Sequence, residues 1–167
     1  GYWMLGRFPE ALKLSFDALK IFEKIDDNKG IGQSYNSIAN TYNMENDLPR
    51  ALVYYNKSIK IYEGLDDSYN INRAYANIGR THYMLGEYTL ALEYLEIVIN
   101  NLSNNKMEIL YAIVSNTKGD VLQKLGRLDE SLLYYFEALA IAEELEVTRI
   151  VTYSTRGISE VYQLQGQ

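Results

Sequence analysis

Apolar side chains along this chain recur at three- and four-residue steps, the interval that places them on one face of a helix. Ala51, Leu52, Tyr55, Ile59 and Tyr62 follow that spacing, and so do Ile31, Tyr35, Ile38 and Tyr42. Polar turn residues interrupt the pattern at regular places. Asp26-Asp27-Asn28, Asp66-Asp67-Ser68 and Asn104-Asn105 supply side chains that cap a helix start. Pro9 and Pro49 fall in a first helical turn, where a missing N–H costs little. The pattern predicts helices near residues 8–25, 28–45, 48–64, 68–85, 88–102, 106–125, 128–145 and 148–164.

The predicted elements repeat. Gly6-Arg-Phe-Pro-Glu-Ala-Leu12, Asn46-Asp-Leu-Pro-Arg-Ala-Leu52, Gly86-Glu-Tyr-Thr-Leu-Ala-Leu92 and Gly126-Arg-Leu-Asp-Glu-Ser-Leu132 stand forty residues apart, and Gly166 keeps the register. A fixed period of this size marks a stack of one unit, here two antiparallel helices and two turns. Positions forty apart also match in size. Ala39, Gly79, Gly119 and Ser159 form one small column, and Ala11, Ala51, Ala91 and Ser131 another, which lets paired helices approach closely. Leu12, Leu52, Leu92, Leu132 and Leu19, Ile59, Ile99, Leu139 supply the large side chains. No unit buries these faces alone, so the stack is the core. The expected fold is all-α, a single array over residues 1–167, with units at 27–66, 67–106 and 107–146 and partial units at 1–26 and 147–167. The chain opens on Gly1-Tyr-Trp-Met-Leu-Gly6 with half a unit and no initiator Met, and is expected to be a piece of a longer protein.

Tyr35, Ile38, Ala39 and Tyr42, followed by Asn46, Leu48, Ala51, Tyr55 and Ser58, resemble the tetratricopeptide-repeat signature of large, large, small, aromatic, then turn, large, small, aromatic, small. The resemblance covers essentially the whole chain. It implies a right-handed α–α superhelix whose inner wall is lined by the first helix of each pair. The period of forty departs from the usual length of about 34. Units this long are similar to those of bacterial sensor and regulatory proteins, peptide-pheromone receptors, kinesin light chains and the LGN/Pins adaptors. Lys118 also departs, falling in the column of Ile38, Ile78 and Ile158, where Val114 and Val121 are candidates to shift the packing.

Composition narrows the function. The 167 residues are 47% hydrophobic and 23% charged, ordinary for a globular chain. A formal net charge of -6 gives no footprint for nucleic acid, which needs clustered Lys and Arg. No stretch has the apolar length of a membrane span, so a soluble segment without direct membrane insertion is expected, the cytoplasm favoured over the periplasm. With 0 Cys and a single histidine, neither a nucleophile–base relay nor a His- or Cys-rich metal site can be assembled. No cofactor or metal is expected. His82 falls in the column of Tyr42, Leu122 and Tyr162, a packing position, and the glycines at 6, 86, 126 and 166 mark turns and form no phosphate loop. The segment is therefore expected not to be an enzyme, although a catalytic domain such as a kinase or cyclase can be attached to it.

Binding is then the expected activity, and the resemblance places it on the inner wall. Side chains not used in packing there include Asn36, Asn40, Asn43, Arg73, Asn77, Arg80, Tyr83, Asn116, Asp120 and Arg156. An Asn amide offers a donor and an acceptor, so Asn36, Asn40, Asn77 and Asn116 can bracket backbone amides of a bound peptide. Arg73, Arg80 and Arg156 can orient a partner carboxylate. A plainer arrangement pairs Arg80 with Asp120, one unit apart, at the surface. The clamp that shorter repeats of this family use for chaperone tails wants a Lys at Asn36 and basic residues at Ile113 and Thr117, so a chaperone-tail receptor is not expected. The leading expectation is a non-catalytic peptide- or protein-binding scaffold, the sensory or regulatory part of a larger bacterial signalling protein. The alternative is self-assembly, a homodimer formed through repeat ends left open at Tyr2-Trp3 and near Val161-Tyr162.

Overall fold

The computed structural model describes residues 8–102 and 108–166, and helices occupy most of them: α1 (Phe8–Lys24), α2 (Asn28–Met44), α3 (Leu48–Glu63), α4 (Ser68–Leu85), α5 (Tyr88–Leu102), α6 (Glu108–Lys124), α7 (Leu128–Glu144) and α8 (Thr148–Leu164). Among the described residues there is no strand. The expected bounds hold within two residues; the turn at Asn104-Asn105 and the first two residues of the sixth expected helix lie outside the described residues.

Three of the described turns close one helix and open the next with the same few atoms. The Asp47 N–H donates to the Tyr42 carbonyl at 2.8 Å, which caps α2, while the Asp47 side chain accepts from the Arg50 N–H at 3.2 Å and caps α3. Asp27 and Asp67 act alike, accepting from the N–H groups of Gly30 and Asn70, both at 3.0 Å. The residue before each cap must take a left-handed backbone for the chain to reverse. Asp26, Asn46, Asp66 and Glu146 do so, as do Gly86, Gly126 and Gly166, with φ from 51° at Asp66 to 78° at Gly86. In the sequence-level turn Asp26-Asp27-Asn28, then, Asp27 is the cap and Asp26 the reversal. At α7 and α8 the capping positions are Arg127 and Val147, and neither side chain makes a cap hydrogen bond.

The helices form two compact units divided between Thr81 and His82. In the first, α1 packs on α2 and α2 on α3; in the second, α5 packs on α6, α6 on α7 and α8, and α7 on α8. The small columns sit where the sequence expected close approach. Ala39, Gly79 and Gly119 are buried, as are Ala51, Ala91 and Ser131, whose hydroxyl donates to the Gly119 carbonyl at 2.8 Å. Ala11 is only half-buried, and Ser159 is exposed. The second helix that covers the equivalent position in α6 has no counterpart beside α8 among the described residues. Close contact there falls instead on Gly157, where a Cβ would stand 2.5 Å from the Tyr135 ring; a Cβ on Gly119 would stand 2.7 Å from the same ring.

Lys118 does not shift the register. Val114 and Val121 are buried beside it and Gly119 keeps its contact with Tyr135. Its buried ammonium is satisfied by Glu96 Oε1 at 3.3 Å and by the face of the Tyr134 ring, whose centroid is 4.3 Å away. His82 is buried too, stacked on Tyr94 with centroids 5.4 Å apart and its Nδ1 2.6 Å from Glu87 Oε2. In the first unit Tyr54 gathers Phe16, Tyr35 and Tyr42 around it, with Lys57 Nζ 4.8 Å from its ring centroid.

Candidate functional site

The expected wall residues lie on α2, α4, α6 and α8, the first helices of the pairs. In the first unit, Asn40 is half-buried and its Oδ1 accepts from the Tyr55 hydroxyl at 2.7 Å. Burial pushes the Tyr55 phenol up to about 12, against the opposing charge of Arg80, so it stays a donor. Asn43 donates through Nδ2 to Thr81 Oγ1 at 2.8 Å, tying α2 to α4. Both amides are thus partly committed to the fold. Asn36 and Asn77 are half-buried, and no hydrogen bond among the described residues engages their side chains. Arg80 is exposed; Arg73 is exposed as well, its guanidinium 5.6 Å from the Tyr69 ring centroid.

In the second unit the structure gathers a tighter cluster. Asp120 on α6 accepts hydrogen bonds from Tyr135 of α7, at 2.6 Å, and from Tyr153 of α8. Burial raises the Asp120 carboxyl from its ordinary value, opposed by those hydrogen bonds and by the charge of Arg156. Tyr153 is pushed well up by burial and by Asp120, and Tyr135 further still by the same causes. The exposed Arg156 lies over the Tyr153 ring, 4.8 Å from its centroid, with Nε 3.5 Å from Glu160 Oε1. Tyr83, at the end of α4, is half-buried, and its phenol is raised by burial and then by the charges of Asp120, Tyr88 and Glu160. Asn116 is 4% exposed, and its Oδ1 accepts from the Ser154 hydroxyl at 2.9 Å, so that amide oxygen ties α6 to α8.

Sequence reasoning did not single out Tyr55, Tyr135, Thr81 and Ser154, which reach the wall from inside. Tyr55 stood in the pattern as a packing aromatic, and Tyr135 is its equivalent two periods on. The signal that finds their second role is spacing: each lies fifteen residues after the wall residue that its hydroxyl meets. Among the described residues no group of three or more His, Asp or Glu side chains converges as a metal site, and no helix is long and apolar enough to cross a membrane.

A family model described as tetratricopeptide repeat matches residues 1–64, and a second of the same description matches residues 73–104. No curated protein matches the chain. Among solved structures, BtubC (BKLC) from P. vanneervenii is similar at 20% identity and a TM-score of 0.82, over 98% of this chain and 68% of that one. A putative kinesin light chain from Podosopora anserina with nearly identical TPR-like repeats is similar at 17% identity and a TM-score of 0.74, over 99% of this chain and 82% of that one. These likenesses are likenesses of fold.

Proposed function

This chain belongs to the tetratricopeptide-repeat family, and we propose that it is a non-catalytic scaffold that binds a protein or peptide along the first helices of its pairs. Repeats of this family generally serve as protein-interaction scaffolds. The observation that carries the reading is the face of α2 and α4 in the first unit, where no hydrogen bond among the described residues engages the side chains of Asn36 and Asn77, and Arg73 and Arg80 are exposed. Amides that the fold does not consume can bracket a peptide backbone, and the guanidiniums can orient a carboxylate. Asn43 and Thr81 hold α2 and α4 in place beneath them. In this reading the chain is the sensory or regulatory segment of a larger bacterial signalling protein, a single repeat array within it. The test is capture of a partner from native lysate by the purified chain and by its Asn77→Ala/Arg80→Ala variant, with melting temperature confirming the fold. Loss of capture in the variant supports the reading; equal capture by both refutes it.

A second reading, self-assembly, is favoured by Leu14 and Ile21 on α1 and Leu164 on α8, which are 66%, 60% and 63% exposed. Of the ends expected to pair, Tyr2-Trp3 lies outside the described residues, Val161 is buried and Tyr162 is exposed. Light scattering over a concentration series tests it: a mass that stays that of one chain rules it out.

A further inference from the structure

Asp120 and Asn40 occupy the same column of the repeat and do the same structural task. Each accepts a hydrogen bond from a buried phenol fifteen residues on, at 2.6 Å from Tyr135 and 2.7 Å from Tyr55. Holding the phenol therefore does not require a charge. Nor does Tyr153 require one, since an Asn at position 120 would accept from Tyr135 through its oxygen and donate to the Tyr153 oxygen through its nitrogen. Yet position 120 carries a carboxylate, and burial opposes its ionisation. A charge kept where a neutral amide serves the fold as well is the local inconsistency that marks a functional position.

The surroundings say what the charge is suited to meet. Glu160, one period on, adds a second carboxylate near it, and Arg156 answers with one guanidinium, leaving the cluster with an excess negative charge. Gln123 is neutral, its Oε1 3.4 Å from the Tyr135 hydroxyl. The Tyr153 ring already carries a guanidinium at 4.8 Å, so its face accepts cations.

We propose that Asp120, together with the ring of Tyr153 that donates to it, is the recognition group for a basic side chain of the bound peptide. The inference rests on the peptide-binding reading above and adds the chemistry of one partner residue, a Lys or Arg set against α6 and α8. The carboxylate supplies the charge, the Tyr153 ring supplies a face for the cation, and Tyr135 fixes the carboxylate from behind.

The test uses a defined probe, acetyl-Gly-Arg-Gly-Arg-Gly-amide, titrated at low salt into the full chain while the ring signals of Tyr153 are followed by NMR. The matching Glu peptide is the control. The Arg peptide is expected to shift the Tyr153 ring saturably, and Asp120→Asn to weaken its binding by about fivefold or more, the scale of a partly desolvated charge pair. Arg156→Gln, an exposed change that spares the buried bonds, is expected to tighten binding by about twofold, because it removes a competing cation. Absence of a saturable shift, equal binding by the Asn variant, stronger binding of the Glu peptide, or weaker binding after Arg156→Gln each overturns the proposal. Partner capture separates this claim from the one beneath it: the Asn77/Arg80 pair tests the scaffold reading, and the arginine-peptide titration does not depend on that pair.

Discussion

Tyr135 joins three helices through one side chain. Its ring is fully buried between Gly119 of α6 and Gly157 of α8, and its hydroxyl reaches Asp120. A methyl at Gly157 would stand 2.5 Å from that ring, which has no room to yield. Gly157→Ala should therefore destabilise the chain by about 1–3 kcal/mol, despite the better helix propensity of Ala, as the urea midpoint will show. Asp120 should affect stability in the opposite sense. A carboxyl whose folded value is raised favours the fold at low pH; that contribution is lost as pH rises through the folded value. Asp120→Asn should thus gain melting temperature over the parent, with the gain growing from about pH 3 to pH 7. A gain that shrinks over that range contradicts the assignment of burial as the cause. The forty-residue columns could not reveal these roles, because a column records which side chains are equivalent and not which atoms they meet. They offered Ser159 as the small contact where α8 uses Gly157, and Asn116 as a groove amide where its oxygen is bonded to Ser154.

At the scale of the helices, the sequence was more informative. Periodic apolar positions and turn residues set every described end within two residues, since a left-handed residue recurs at each described reversal. Where the column supplies Gly or Asn, the left-handed turn costs little; Glu146, at φ 54°, bears the strain of a Cβ. Glu146→Gly should stabilise by about 0.5–1 kcal/mol, read as a higher urea midpoint with unchanged slope. The first unit's cap residues Asp27, Asp47 and Asp67 have no equivalents at Arg127 and Val147, so the ends of α7 and α8 rely on packing. Lys118 shows the limit of patterning at this scale. A Lys in an isoleucine column looked like a disturbance, but its long stem reaches Glu96 and the Tyr134 face without moving the helix.

For the molecule as a whole, the period alone fixes the architecture, because a unit that cannot bury its own face must stack. The wall was legible as a set of positions, and the resemblance named the helices that carry it. Which of its side chains remain available was not legible, since that depends on phenols and hydroxyls arriving from neighbouring helices. Asn40 and Asn43 are partly consumed in this way, while Asn36 and Asn77 are not. The central claim is that this remaining face of α2 and α4 binds a partner segment, and it is tested most directly by partner capture with Asn77→Ala/Arg80→Ala beside the parent chain. A variant that melts like the parent yet binds at least about tenfold more weakly, on the order of 1.4 kcal/mol, is the predicted result. Equal affinity from an equally folded variant would contradict it.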